Sequence, residues 1–108
     1  MSENKYEGMD LEQLRSEIDG VDKQIMQLFR ERMALSAQIA KAKKASGLAI
    51  LDIEREKAKL DRIAKNVEDE LSGFTSKLYL TLADLSKAYQ QEVLDIDIDD
   101  LETSEDDI

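Results

Sequence analysis

A single apolar row runs along the first third of the chain: Leu11, Leu14, Ile18, Val21, Ile25, Leu28, then Leu35 and Ile39. Its steps alternate three and four, the spacing that turns one face of a long α-helix towards a packing partner. One position breaks the row. Between Leu28 and Leu35, where an apolar residue is expected, stands Arg32. A guanidinium on such a face looks at a partner helix rather than water, and burying it is costly unless an anion is paired with it. Lys43 follows nearly one turn beyond Ile39 on the same side. Two inward cations on one long helix point to a small anionic ligand held inside a helical bundle.

The ends of this helix are written in its flanks. Asp10 suits an N-cap, Gln13 stands three residues on as in a capping box, and Met9 and Leu14 are placed for a hydrophobic staple. The periodic row lasts to about Ser46, and Gly47 suits a left-handed C-terminal stop. Gly20 weakens the helix without ending it. Roughly 37 residues at about 1.5 Å each make a rod of about 55 Å. Its own short chain cannot cover such a rod, and a second copy is the simplest cover.

Leu48 to Leu51 forms a short apolar connector, and Asp52 is a second N-cap. A second helix follows with Ile53, Glu56, Leu60, Ile63 and Val67 on one face, so that Glu56 is a second charge facing inward. A third helix is expected to begin between Asn66 and Ser72, with the row Phe74, Leu78, Leu82, Leu85, Tyr89 and Val93. Ser86 and Gln90, four apart, share one side of it. The fold expected is all-α, three helices per chain in an intertwined homodimer. Residues 1–9 are expected to be a flexible N-terminus, 10–93 the helical domain, and 94–108 an acidic, disordered tail.

Composition narrows the chemistry. The 108 residues fit one domain, without proline and with four glycines, which favours helices. Cysteine and histidine are both absent, so there is no disulfide and no thiolate or imidazole to act as nucleophile, base or metal ligand. No metal and no cofactor are expected. No stretch has the length of a signal peptide or membrane span, and a cytoplasmic location is the expectation. The net charge of −10 is concentrated in the tail, where eight acids stand without a base. Removing those eight leaves 17 acids against 15 bases, a balance of −2. The remainder lacks the basic face that nucleic acid requires.

The inward or edge-placed polar residues are Arg15, Arg32, Lys43, Asp52, Arg55, Glu56, Ser86 and Gln90. Singly, each has a structural explanation. Arg15 can form a surface ion pair, Lys43 can serve the helix dipole, and Asp52 can be only a cap. Arg55 can pair on a solvated face, and Ser86 can be a small core residue. Arg32 and Glu56 can form one buried ion pair between helices. Geometry adds a constraint. Arg32 and Lys43 lie within about 20° of each other around the helix and about 16 Å apart along it, close enough to grip one small ligand. Arg15 is about 42 Å from Lys43 on the same rod and reaches that ligand only from an antiparallel second copy.

In that order and spacing, the residues resemble a known family. Leu11-Glu-Gln-Leu-Arg15-Ser-Glu-Ile-Asp19, Leu28-Phe-Arg-Glu-Arg32, Ile39-Ala-Lys-Ala-Lys43 and Asp52-Ile-Glu-Arg55-Glu56 are similar to the all-helical class of chorismate mutases. The likeness covers about residues 10 to 93. It implies an intertwined dimer of three-helix chains and the [3,3]-sigmatropic rearrangement of chorismate to prephenate, on the route to phenylalanine and tyrosine. It further implies that Arg32 and Arg15 of the partner subunit hold the substrate carboxylates, with Arg55 completing that grip. Lys43 and Gln90 would donate to the ether oxygen. Glu56, with the backbone at Asp52, would hold the ring hydroxyl, and Ser86 would line the pocket. A pericyclic step needs no nucleophile, which suits the inventory; it needs a dianion held in a reactive shape and donors where charge develops. Two alternatives stand beside it: an isochorismate-pyruvate lyase of the same fold, and a non-catalytic helical dimerisation or regulatory module.

Overall fold

The computed structural model describes residues 8–106, with side chains through Asp95. Three helices account for the described fold: α1 Leu11–Ala45, α2 Ile53–Lys65 and α3 Asp69–Asp106. The all-α expectation holds, and the long first helix is present. The chain divides into two compact units, Met1–Arg32 and Met33–Ile108, the boundary falling within α1.

Local chemistry sets the helix ends. Asp10 Oδ1 accepts from the backbone N–H of Glu12 at 3.0 Å and of Gln13 at 3.3 Å, satisfying two of the donors a helix start leaves over. At the other end Gly47 adopts φ +71°, a left-handed conformation that a side chain resists. Around it the N–H of Leu48 bonds the carbonyl of Lys43 at 2.8 Å and that of Gly47 bonds Lys44 at 3.2 Å. These are the paired bonds of a Schellman turn. Asp52 caps α2, its Oδ1 accepting from the N–H of Arg55 at 3.1 Å. Asn66 closes α2, its N–H bonding the carbonyl of Ile63 at 3.1 Å. Asp69 and Glu70 open α3, where negative charge suits the helix dipole.

In the first unit, the described residues are exposed except Phe29 and Arg32, which are half-buried. In the second unit, α2 and α3 pack against each other. Their pairing is antiparallel: Lys59 lies 5.6 Å from the ring centre of Tyr79, and further back along α2 Glu56 meets Lys87. The buried residues are mostly small: Ser36 and Ala40 on α1, and Tyr79, Ala83, Ser86 and Gln90 on α3. Small side chains let helix backbones approach closely. The Gln90 side chain accordingly reaches a main-chain carbonyl of α1, that of Ser36, at 3.0 Å.

The apolar rows are left largely uncovered by the single chain. On α1 the buried Ser36 and Ala40 each stand one position beyond Leu35 and Ile39, which remain 57% and 48% exposed. On α3 the buried Tyr79, Ala83, Ser86 and Gln90 stand beside a row in which Phe74, Leu78, Leu85 and Tyr89 stay exposed. One position is about 100° around a helix, so each rod presents a narrow face to its own chain and a second, larger apolar face outward. Residues 94–108 are the span expected as an acidic, disordered tail, and α3 runs into it. The backbone of α3 continues as helix to Asp106. No glycine or proline follows Gly73, so nothing in the backbone chemistry stops the helix at Val93. Of the N-terminus expected to be flexible, residues 1–7 lie outside the described residues, as do residues 107 and 108 of the tail.

Candidate active site

Most of the candidate residues fall in the second unit. Lys43, in the last turn of α1, is half-buried, and its Nζ donates to the carbonyl of Ile50 at 2.8 Å. The Schellman turn makes this possible: it reverses the chain so that the connector passes back over the helix end. Lys43 and Asp52 line a shared hollow of about 380 Å³, together with Leu48, Ala49, Leu51, Ile53 and Glu54. Its volume suits a small ligand.

Asp52 is exposed and its carboxylate is used by the cap, so the plain structural explanation of that side chain holds. Arg55 is exposed on the first turn of α2. Glu56 is turned inward, as its place on the α2 row requires. It pairs with α3: Lys87 Nζ lies 3.2 Å from Glu56 Oε1. This bond, above all, raises the Lys87 ammonium above the ordinary lysine range.

Ser86 and Gln90 are buried on α3 as neighbours one turn apart. Gln90 Nε2 donates to the Ser36 carbonyl. A primary amide carries two N–H donors, so this bond spends one and orients the other. Arg15 is exposed and Arg32 half-buried, both in the first unit. The second unit thus joins Lys43 with Asp52 around the hollow, ties Glu56 to Lys87 of α3, and holds Gln90 against α1.

Three contributors escaped sequence reasoning. Ser36 and Ile50 act through main-chain carbonyls, which every residue has. Lys87, with Asp84 three residues before it at 3.5 Å, has the pattern of an ordinary solvated helix pair. Among the described residues no group of acids could hold a metal ion.

Residues 14–91 match the family model described as chorismate mutase type II. The chain is 34% identical over 90 residues to the chorismate mutase of Methanocaldococcus jannaschii, an overlap of 79% of this chain and 88% of that protein. It is 38% identical over 82 residues to the T-protein of Haemophilus influenzae, covering 76% of this chain and 20% of that one. It is 33% identical over 87 residues to the bifunctional chorismate mutase/prephenate dehydratase of Buchnera aphidicola subsp. Schizaphis graminum, covering 79% and 23%. The chain therefore spans about a fifth of the two longer relatives. No solved structure gives a significant match. The matched stretch encloses every candidate residue from Arg15 to Gln90, and on that ground the chain belongs to the chorismate mutase type II family.

Proposed function

We propose that this chain is a chorismate mutase, converting chorismate to prephenate for phenylalanine and tyrosine synthesis, and that it works as an intertwined homodimer. The observation that carries the reading is the family match over residues 14–91, which includes all eight proposed site residues. The chorismate mutase of Methanocaldococcus jannaschii supports it, because the overlap takes in 88% of that protein.

The roles follow from charge and donor chemistry. Arg32, Arg55 and Arg15 of the partner subunit bind the two substrate carboxylates, since the planar guanidinium matches a carboxylate through two bonds. This grip holds the dianion in the compact shape from which the new carbon–carbon bond forms. As the carbon–oxygen bond breaks, negative charge grows on the ether oxygen. Lys43 meets it with a full charge, and Gln90 with the N–H that Ser36 does not take. Glu56 and the backbone at Asp52 hold the ring hydroxyl, and Ser86 closes the wall beside Gln90. No proton is exchanged, so the absence of His and Cys costs the reaction nothing.

The second copy enters through the open faces. Leu11, Leu14, Ile18, Val21, Ile25 and Leu28 are all exposed in the single chain. A partner's helices cover them and deliver its Arg15. Residues 10–93 form the catalytic domain. Among the described residues no helix is long and apolar enough to cross a membrane, and the proposed location is the cytoplasm.

The test is direct. Purified protein is mixed with chorismate and the loss of the ultraviolet diene absorbance is followed, with the product identified. Prephenate is the expected product. Unchanged chorismate with a folded dimer refutes the proposal, and turnover of isochorismate to salicylate and pyruvate would replace it with the lyase.

A further inference from the structure

Glu56 poses an electrostatic difficulty for a pocket that takes a dianion. A carboxylate beside that substrate repels it, and in a partly dry site the repulsion is weakly screened. The structure contains the offset. Lys87 on α3 approaches both oxygens of Glu56, at 3.2 Å to Oε1 and 3.5 Å to Oε2. The two side chains are 32% and 28% exposed, so the contact is partly withdrawn from water. Asp84 also approaches Lys87 at 3.5 Å, but it is 77% exposed and lies on the same helix, so it cannot tie α3 to α2. The raised Lys87 ammonium stays charged at any ordinary pH.

We propose that Lys87 is a positioning residue, which fixes the Glu56 carboxylate against α3 and cancels its charge so that Glu56 can accept the substrate's ring hydroxyl. This rests on the reading of the site given above. An ionised carboxylate offers about four acceptor positions, and one ammonium occupies one or two of them. The rest remain for the hydroxyl. Without Lys87, Glu56 gains the freedom of an unpaired side chain and presents an uncancelled charge to the substrate. The ring hydroxyl is present in substrate and transition state alike, so the loss falls on binding: KM rises while kcat holds.

The experiment measures kcat and KM for chorismate in the full chain, in Lys87→Met, Lys87→Arg and Glu56→Gln, and in the Met and Gln double variant, with melting temperatures in parallel. Lys87→Met should raise KM roughly threefold to tenfold, the scale of a partly exposed charge pair. Its kcat should stay within about twofold, and Lys87→Arg should restore most of the binding. In the Glu56→Gln background the Met substitution should add less than about twofold, because the group it acts through is gone. If Lys87→Met does not fold, Lys87→Gln carries the same test, since it removes the charge and keeps a donor.

An unchanged KM, a fully additive double variant, or a fall in melting temperature alone overturns the inference and leaves a structural tie between α2 and α3. These outcomes require an active wild-type chain and leave the reading of the site intact. A wild-type chain inert towards chorismate overturns both.

Discussion

Replacing Ile25 with Asp tests the second copy where it should matter most. Ile25 sits in the middle of the α1 row and is 50% exposed in the single chain. Burying the remaining half of such a side chain is worth about 1 kcal/mol, half the value of full burial. The eight apolar residues of the row are between 42% and 62% exposed. Over two chains they offer about 16 kcal/mol in gross terms. Association costs about 4–15 kcal/mol, so the row alone leaves a modest margin. Ile25→Asp removes about 1 kcal/mol at each of two symmetry-related positions. It also sets two carboxylates in an apolar seam at about 1–3 kcal/mol each. The total, about 4–8 kcal/mol, weakens the dimer by about a thousandfold or more. Isoleucine and aspartate differ little in helix propensity, so the helix itself is not the target. Sedimentation velocity at micromolar protein, with turnover measured on the same samples, reads the outcome. The variant should become monomeric and lose activity, because a lone chain lacks the partner's Arg15. Lys23→Asp, on the opposite side of α1, should remain dimeric and active. A dimeric, fully active Ile25→Asp protein would refute the assignment of this row to the interface.

Three further outcomes are expected. Lys43→Ala should lower kcat by about a hundredfold to a thousandfold, the usual loss of a donor to developing charge, while circular dichroism stays unchanged; near-normal turnover would remove Lys43 from the mechanism. Mixing Arg15→Ala chains with Lys43→Ala chains should recover about a quarter of wild-type activity, since random pairing makes half the dimers mixed and each has one intact site; no recovery after demonstrated chain exchange would argue against a shared site. Gln90→Glu turns an acceptor towards the Ser36 carbonyl, so its rate should collapse near neutral pH and return in part at low pH, where the carboxyl regains a donor. An acidic requirement in the unsubstituted protein would contradict the role of Gln90.

The helix ends could be read in advance because each depends on nearest neighbours. Asp10, Gly47 and Asp52 act within a few residues of themselves, and the structure uses each one as local chemistry predicts. The division of faces could not be read that way. Periodicity reports that Leu35 and Ile39 need cover but not whose cover it is, and the single chain buries Ser36 and Ala40 instead. The end of α3 is hard to read because a run of acids suggests disorder, whereas the backbone after Gly73 contains no proline or glycine to break a helix. Among the site residues, Glu56 was found inward because a charge on an apolar row stands out. Its partner Lys87 was not, because a lysine three residues from an aspartate is what any solvated helix displays.

If Lys43 holds the substrate as proposed, its bond to the Ile50 carbonyl makes the connector a built-in competitor for the ammonium. A ligand must displace an acceptor tethered only seven residues away, present at high local concentration whatever the supply of substrate. The apparent affinity is therefore lower than the contacts of the bound state would suggest, by the fraction of time the carbonyl holds the charge. In exchange the cation is spared a desolvated, unpaired interval between turnovers. Weak or singly charged anions that cannot outcompete one carbonyl pass by, so a main-chain oxygen that takes no part in the chemistry acts as a threshold for entry.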